Sequence, residues 1–104
     1  TRLHGHRALL LGPTRAKAAA KPPLVLLGGT AQWIDSWMGH LSSLARERQV
    51  LVYETRGQAG ATSSLNPADC SLERQAADFG GVIRAAGLHE QPFDLCGFSF
   101  GGRV

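Results

Sequence analysis

A chain of 104 residues is long enough for one small domain with a core, and 43% hydrophobic with 18% charged content excludes a disordered chain. The net charge of +3 is uneven: residues 1–34 hold Arg2, Arg7, Arg15, Lys17 and Lys21 with no acid, whereas residues 35–104 hold six arginines against eight carboxylates. Basic residues are not gathered with interleaved aromatics, so nothing points to nucleic acid, and no apolar run approaches the roughly 18 residues of a membrane span.

Residues 1–21 read as a basic N-terminal segment. Leu9-Leu10-Leu11 is a possible extra strand, and "GPTRAKAAAKPP" reads as an exposed linker. The absence of Ser from residues 1–34 separates it from a transit peptide, and the compartment stays open. From residue 22 the pattern changes. Three short apolar runs, Leu24–Gly28, Val50–Glu54 and Phe93–Phe98, are bounded by turn residues, the first by Pro22-Pro23 and Gly28-Gly29, as strands buried on both faces are. Between the first two, Trp37, Leu41, Leu44 and Arg48 recur at helical spacing, which predicts a helix over Asp35–Arg48 with Asp35 as N-cap. Between the second and third, Leu72, Ala76, Phe79, Ile83 and Ala86 form one stripe. That predicts a helix over Ser71–Ala86, capped by Ser71 and closed by Gly87. Gly80-Gly81 inside it weakens the helix by about 2 kcal/mol against Ala-Ala and reads as room for a close approach to the sheet. Alternating strands and helices predict an α/β fold, a parallel sheet with helices on both faces.

Cys70 and Cys96 form neither a disulfide framework nor a metal motif, which suits a reducing compartment, and no metal or cofactor site is expected. Cys96 lies in an apolar run and is expected as a buried thiol. Functional groups of an open α/β sheet collect at the carboxyl ends of its strands. Three segments fall there: Gly28–Gln32, Glu54–Gln58 and Gly97–Gly101. The last reads G-x-S-x-G, "GFSFG". In a chain with 13 glycines the pattern alone is weak; a strand before it and a helix after it give it meaning. A strand turning directly into a helix strains the serine backbone and projects its hydroxyl. Side chains at Gly97 or Gly101 would clash there, and the following helix directs N–H groups toward the hydroxyl.

In that context residues 22–104 resemble the N-terminal half of an α/β-hydrolase fold protein. "PLVLLGGTAQWIDSW" is similar to the family's third strand and oxyanion loop, with Gly28 at the usual His, Gly29 at the Gly and Trp37 at the Trp that follows. "VLVYETRGQAGATS" resembles the fourth strand and its Asp-x-Arg-Gly-x-Gly turn, Glu54 replacing Asp and Ala59 standing as an extra residue. "FDLCGFSFGG" resembles the fifth strand and nucleophile elbow.

The resemblance implies a serine hydrolase acting on a small ester-like substrate through an acyl-enzyme. Ser99 would be the nucleophile, with the backbone N–H groups of Thr30 and Phe100 as the oxyanion hole; Gly97 and Gly101 would be the elbow glycines. Serine at the elbow argues against the branches that carry aspartate there, which open epoxides and dehalogenate. Trp37 and Arg56 read as structural. The family order is Ser, acid, His, so both partners are expected after Ser99, where only Phe100–Val104 follow. His4, His6, His40 and His89 read as surface histidines. The chain is therefore expected to be a fragment, truncated after the elbow and inactive alone. Two other readings stay open: a non-catalytic binding protein on the same fold, and a Rossmann-like nucleotide binder using Gly28-Gly29-Thr30 with Glu54 on a ribose.

Overall fold

The computed structural model describes residues 2–13, 21–28, 34–55 and 71–104. Its strands are β1 (Arg2–Leu3), β2 (His6–Leu11), β3 (Leu24–Leu27), β4 (Val50–Tyr53) and β5 (Asp94–Gly97), in the spatial order β1-β2-β4-β3-β5. Strands β4, β3 and β5 are parallel, as the alternation of strands and helices predicts. Strand β2 runs antiparallel to β4, with Ala8 opposite Tyr53, and β1 pairs with β2. The sheet is thus mixed rather than wholly parallel. A short turn can only return a strand antiparallel, and His4 and Gly5, with φ of 51° and 81°, make the tight turn that joins β1 to β2. The strand suggested by Leu9–Leu11 begins three residues earlier, at His6.

Alternate residues of the parallel strands feed two cores. Val25, Leu27, Leu51 and Tyr53 pack with Ala8 and with Val82, Ile83 and Leu88, on the face covered by helix α2 (Leu72–Ala85). Leu26, Val50 and Val52 pack with Ile34 and Leu41 on the opposite face, covered by helix α1 (Met38–Leu44). Helices therefore lie on both faces.

The first predicted helix is shorter than its periodicity suggests. A 3₁₀ turn, Ile34–Trp37, leads into α1, which ends at Leu44. Asp35 lies inside that turn and does not cap α1; the N-cap residue is Trp37, without a side-chain bond. Trp37 packs against the α1-side core, in line with a structural role.

Helix α2 starts where Ser71 Oγ accepts from Arg74 N–H at 3.2 Å. It ends on Gly87, at φ 75°. Gly87 N–H donates to Arg84 O and Leu88 N–H to Ile83 O, the pair of bonds that lets a left-handed residue close a helix with an apolar contact behind it. Its buried flank is not the predicted stripe throughout. Leu72 and Ala76 face solvent, while Gln75 and Asp78 are buried. The reason is the hairpin: Asp78 Oδ2 stands 3.6 Å from His6 Nε2. Gly81 meets the hairpin as well, since a Cβ there would fall 2.5 Å from the His4 ring. The close approach is thus to a histidine of the β1–β2 turn.

Two exposed ion pairs lie at the amino ends of the parallel strands. Lys21 bonds Glu47, and this contact first, then the Lys21 charge, holds the Glu47 carboxyl below its ordinary range. Arg48 Nη1 donates to Asp94 Oδ2 at 3.1 Å. No helix among the described residues is long and apolar enough to cross a membrane.

Candidate active site

The parallel register brings the carboxyl ends of three strands level. Leu26 pairs with Val52 and Leu27 with Gly97; continuing the same registers, Gly28 falls level with Glu54, two steps on, and with Phe98, one step on. Phe98 N–H still donates to Leu27 O at 2.9 Å, so β5 stays attached to β3 up to the residue before Ser99. At Ser99 the chain turns abruptly. Its φ is 53°, the left-handed region that an L side chain enters at a penalty of roughly 1–2 kcal/mol. A five-residue 3₁₀ turn, Ser99–Arg103, follows at once.

The flanking glycines make this turn possible by allowing backbone to meet backbone. A Cβ on Gly97 would lie 2.7 Å from Gly101 O and from Gly102 Cα. One on Gly101 would collide with Leu27 O and sit 2.7 Å from Gly28 O. The turn after β5 is therefore pressed against the end of β3, and the start of the segment after β3 lies directly beneath it. Ser99 itself is exposed. The first hydrogen bond within the turn runs from Gly101 N–H to Phe98 O at 2.9 Å, so the amides of Ser99 and Phe100 lie ahead of it.

Of the residues singled out in the sequence, Ser99, Phe100, Gly97, Gly101 and Gly28 converge at this end of the sheet. Gly29, Thr30, Arg56 and Cys70 lie outside the described residues. Glu54 is here too, but buried, its Oε1 accepting from Arg7 Nη1 at 3.0 Å. A ribose could not reach it, which removes the acidic partner of the nucleotide reading.

The histidines do not gather at Ser99. His6, expected at the surface, is 1% exposed. A backbone carbonyl can only accept, so His6 Nδ1–H donates to Glu54 O, at 2.8 Å, while Nε2 faces Asp78. Both ring nitrogens are engaged, and the ring edge packs on Tyr53, 5.6 Å between centroids. Sequence reading missed this because the partners, Glu54 and Asp78, are far along the chain. His40 is an exposed residue of α1, and His89 lies before β5, at the amino end of that strand, 3.7 Å from Glu90. Burial, with the Asp78 carboxylate second, pushes the Tyr53 hydroxyl above its ordinary value.

Cys96 corrects another expectation. It is exposed, like all of β5, because no described residue covers the outer side of that strand. It lines an open cavity of about 420 Å³ with Leu24, Leu26, Trp37 and Leu44 on the α1 face, a cavity whose lining does not include Ser99. No group of three His, Cys, Asp or Glu among the described residues could hold a metal.

Comparison with known proteins decides the family. The profile of the α/β hydrolase fold matches residues 22–104. The chain belongs to that family. Among curated relatives, human monoacylglycerol lipase ABHD6 is 29% identical over 91 residues, covering 86% of this chain and 26% of that protein. Monoacylglycerol lipase abhd6-B of Xenopus laevis is 27% identical over 92 residues, with the same coverage. The chain thus spans about a quarter of the length of these relatives (26%). Among solved structures, the enol-lactonase of Burkholderia xenovorans LB400 superposes with a TM-score of 0.79 at 21% identity, over 98% of this chain and 37% of that one. An α/β hydrolase fold protein of Burkholderia ambifaria gives 0.72 at 29% identity, over 98% and 34%. The epoxide hydrolase StEH1 of potato gives 0.76 at 19%, over 97% and 31%, a likeness of fold alone.

Proposed function

We propose that the full-length protein is a serine hydrolase that cleaves a carboxylic ester or related acyl compound through an acyl-enzyme, with Ser99 as nucleophile. One observation carries the reading: Ser99 sits at φ 53° between two glycines that have room only for hydrogen, on the carboxyl end of a parallel strand. Such strain is kept only where the surrounding structure over-determines it, and it lifts the hydroxyl clear of the sheet. In the reaction Ser99 Oγ attacks the acyl carbon and its proton passes to a histidine base; the alcohol leaves, and water releases the acid. The oxygen that gains charge would be received by the amides of Phe100 and Thr30. Donors fixed in advance of the reaction each lower the barrier by about 3–4 kcal/mol. Phe100 N–H lies ahead of the first bond of its turn, and Gly28, two residues before Thr30, passes beneath that turn. The relatives named monoacylglycerol lipase support an ester substrate. Since His6 is engaged and His40 and His89 lie elsewhere, the base and the acid that orients it are assigned to the rest of the protein.

A fluorophosphonate tests this, because it labels only a serine with both a base and an oxyanion site. The full-length protein is expected to label and Ser99→Ala to lose labelling, with hydrolysis down by about 10⁶. A folded full-length protein that does not label would instead be a binding protein on this fold.

A further inference from the structure

The turn that carries Ser99 is packed backbone against backbone, through Gly97, Gly101, Gly102 and Gly28, which have no side chains to offer a substrate. Of the exposed large apolar side chains, the one that adjoins this turn is Phe98, one peptide bond before Ser99 and 59% exposed. The strand sets its direction. Phe98 is extended, with φ −104° and ψ 127°, and its N–H donates to Leu27 O at 2.9 Å. Its ring therefore stands off the same face of the sheet as the Cys96 side chain, two residues before, which opens on the α1 face. Ser99 is exposed as well, so the hydroxyl and the ring meet solvent side by side at the carboxyl end of β5.

We infer that Phe98 is a specificity-determining residue: its exposed ring receives an aliphatic chain of the ester whose carbonyl sits at Ser99. The inference rests on Ser99 being the nucleophile. An ester carbon in reach of Ser99 Oγ carries its acyl and alkoxy groups away on two sides, and a chain on either side can lie along an adjoining aromatic face. Covering the ring withdraws apolar surface of both partners from water, so the gain grows with each methylene that touches it. A two-carbon group is too short to use much of the ring. The substrate class this favours is an ester with a medium-length or long hydrocarbon chain.

The test uses the full-length protein and two ester series. Para-nitrophenyl acetate, butyrate, hexanoate and octanoate lengthen the acyl side; ethyl, butyl, hexyl and octyl acetate lengthen the alcohol side. In one series wild-type kcat/KM is expected to rise about tenfold or more from two carbons to six, and that series identifies the chain the ring receives. Phe98→Ala should lose about twofold with the two-carbon ester and about tenfold with the six-carbon one. Phe98→Leu, apolar but smaller, should lose about threefold with the latter. Urea midpoints of wild type and Phe98→Ala should agree, because truncating an exposed ring leaves no cavity. A large fall in that midpoint, or failure of Phe98→Ala to fold, overturns the inference, since the ring would then be packed within the protein. Flat chain-length dependence in both wild-type series overturns it, as does an equal loss at every length, which marks a displaced Ser99. Absence of fluorophosphonate labelling in the wild-type protein overturns the nucleophile reading and this inference with it. Normal labelling, with the chain-length dependence of wild type retained in Phe98→Ala, overturns this inference alone.

Discussion

Toward one edge of the sheet, β2 buries His6 and Ala8 and is tied to β4 and α2 by side chains: Arg7 to Glu54, and His6 to both Glu54 O and Asp78. At the other edge, β5 exposes all four of its residues, with Leu95 at 53% and the adjoining Phe98 at 59%. It is held by its backbone ladder to β3, by the glycine contacts of the turn that follows and, at its amino end, by one exposed ion pair, Arg48–Asp94, of a kind that contributes little in water. The first edge is secured by polar groups whose burial is tolerable only because they pair. The second depends on backbone fit, and there the residue identities that matter are those that leave space.

If that contrast is right, the largest effect on stability belongs to the glycine turn. Gly101→Val is expected to destabilise the fold by about 3 kcal/mol, because its side chain meets carbonyls of another strand that cannot move aside. Urea unfolding measures this; a loss under about 1 kcal/mol would mean that the turn and β3 are less tightly joined. Tyr53→Phe probes the polar edge. The Tyr53 hydroxyl is buried without a hydrogen-bond partner, so its removal should stabilise by about 1 kcal/mol at neutral pH. Its raised pKa fixes the sign at high pH. Above about pH 10 an unfolded tyrosine releases its proton while the buried one keeps it, so stability declines as pH rises. The Phe variant should lack that decline. Urea midpoints at increasing pH follow it, and tyrosinate absorbance reports this group alone in the chain, which has one tyrosine. The smallest effect is at Ser99. Ser99→Gly relieves the left-handed strain but enlarges the freedom of the unfolded chain, leaving a net gain of up to about 1 kcal/mol. A net loss would show that the serine side chain itself supports the turn.

The parallel core was legible because its strands are short apolar runs set between turn residues, and because Ser71 and Gly87 bracket α2 with the residues its ends require. The polar edge was not. His6 and Arg7 interrupt the apolar pattern of β2; the burial of His6 and the pairing of Arg7 follow from Glu54 and Asp78, more than forty residues away. Asp78 likewise drew the buried flank of α2 away from the Leu72–Ala76 stripe. Cys96 was read as buried from an apolar setting, whereas the sheet order puts its strand at the boundary of the described structure. At the candidate site, the turn was readable from five residues. The Arg7–Glu54 contact, assembled from two separate elements, was not.

The β5 ladder has a consequence for isotope exchange. Asp94 and Phe98 donate their amides inward, to Pro23 O and Leu27 O. Strand alternation therefore sends the Leu95 and Gly97 amides outward. In deuterated solvent these two should exchange far sooner than the amides of β3, which is bonded on both sides. If another strand came to lie along β5, the delayed exchange of Leu95 and Gly97, with Cys96 between them unchanged, would record the new pairing residue by residue.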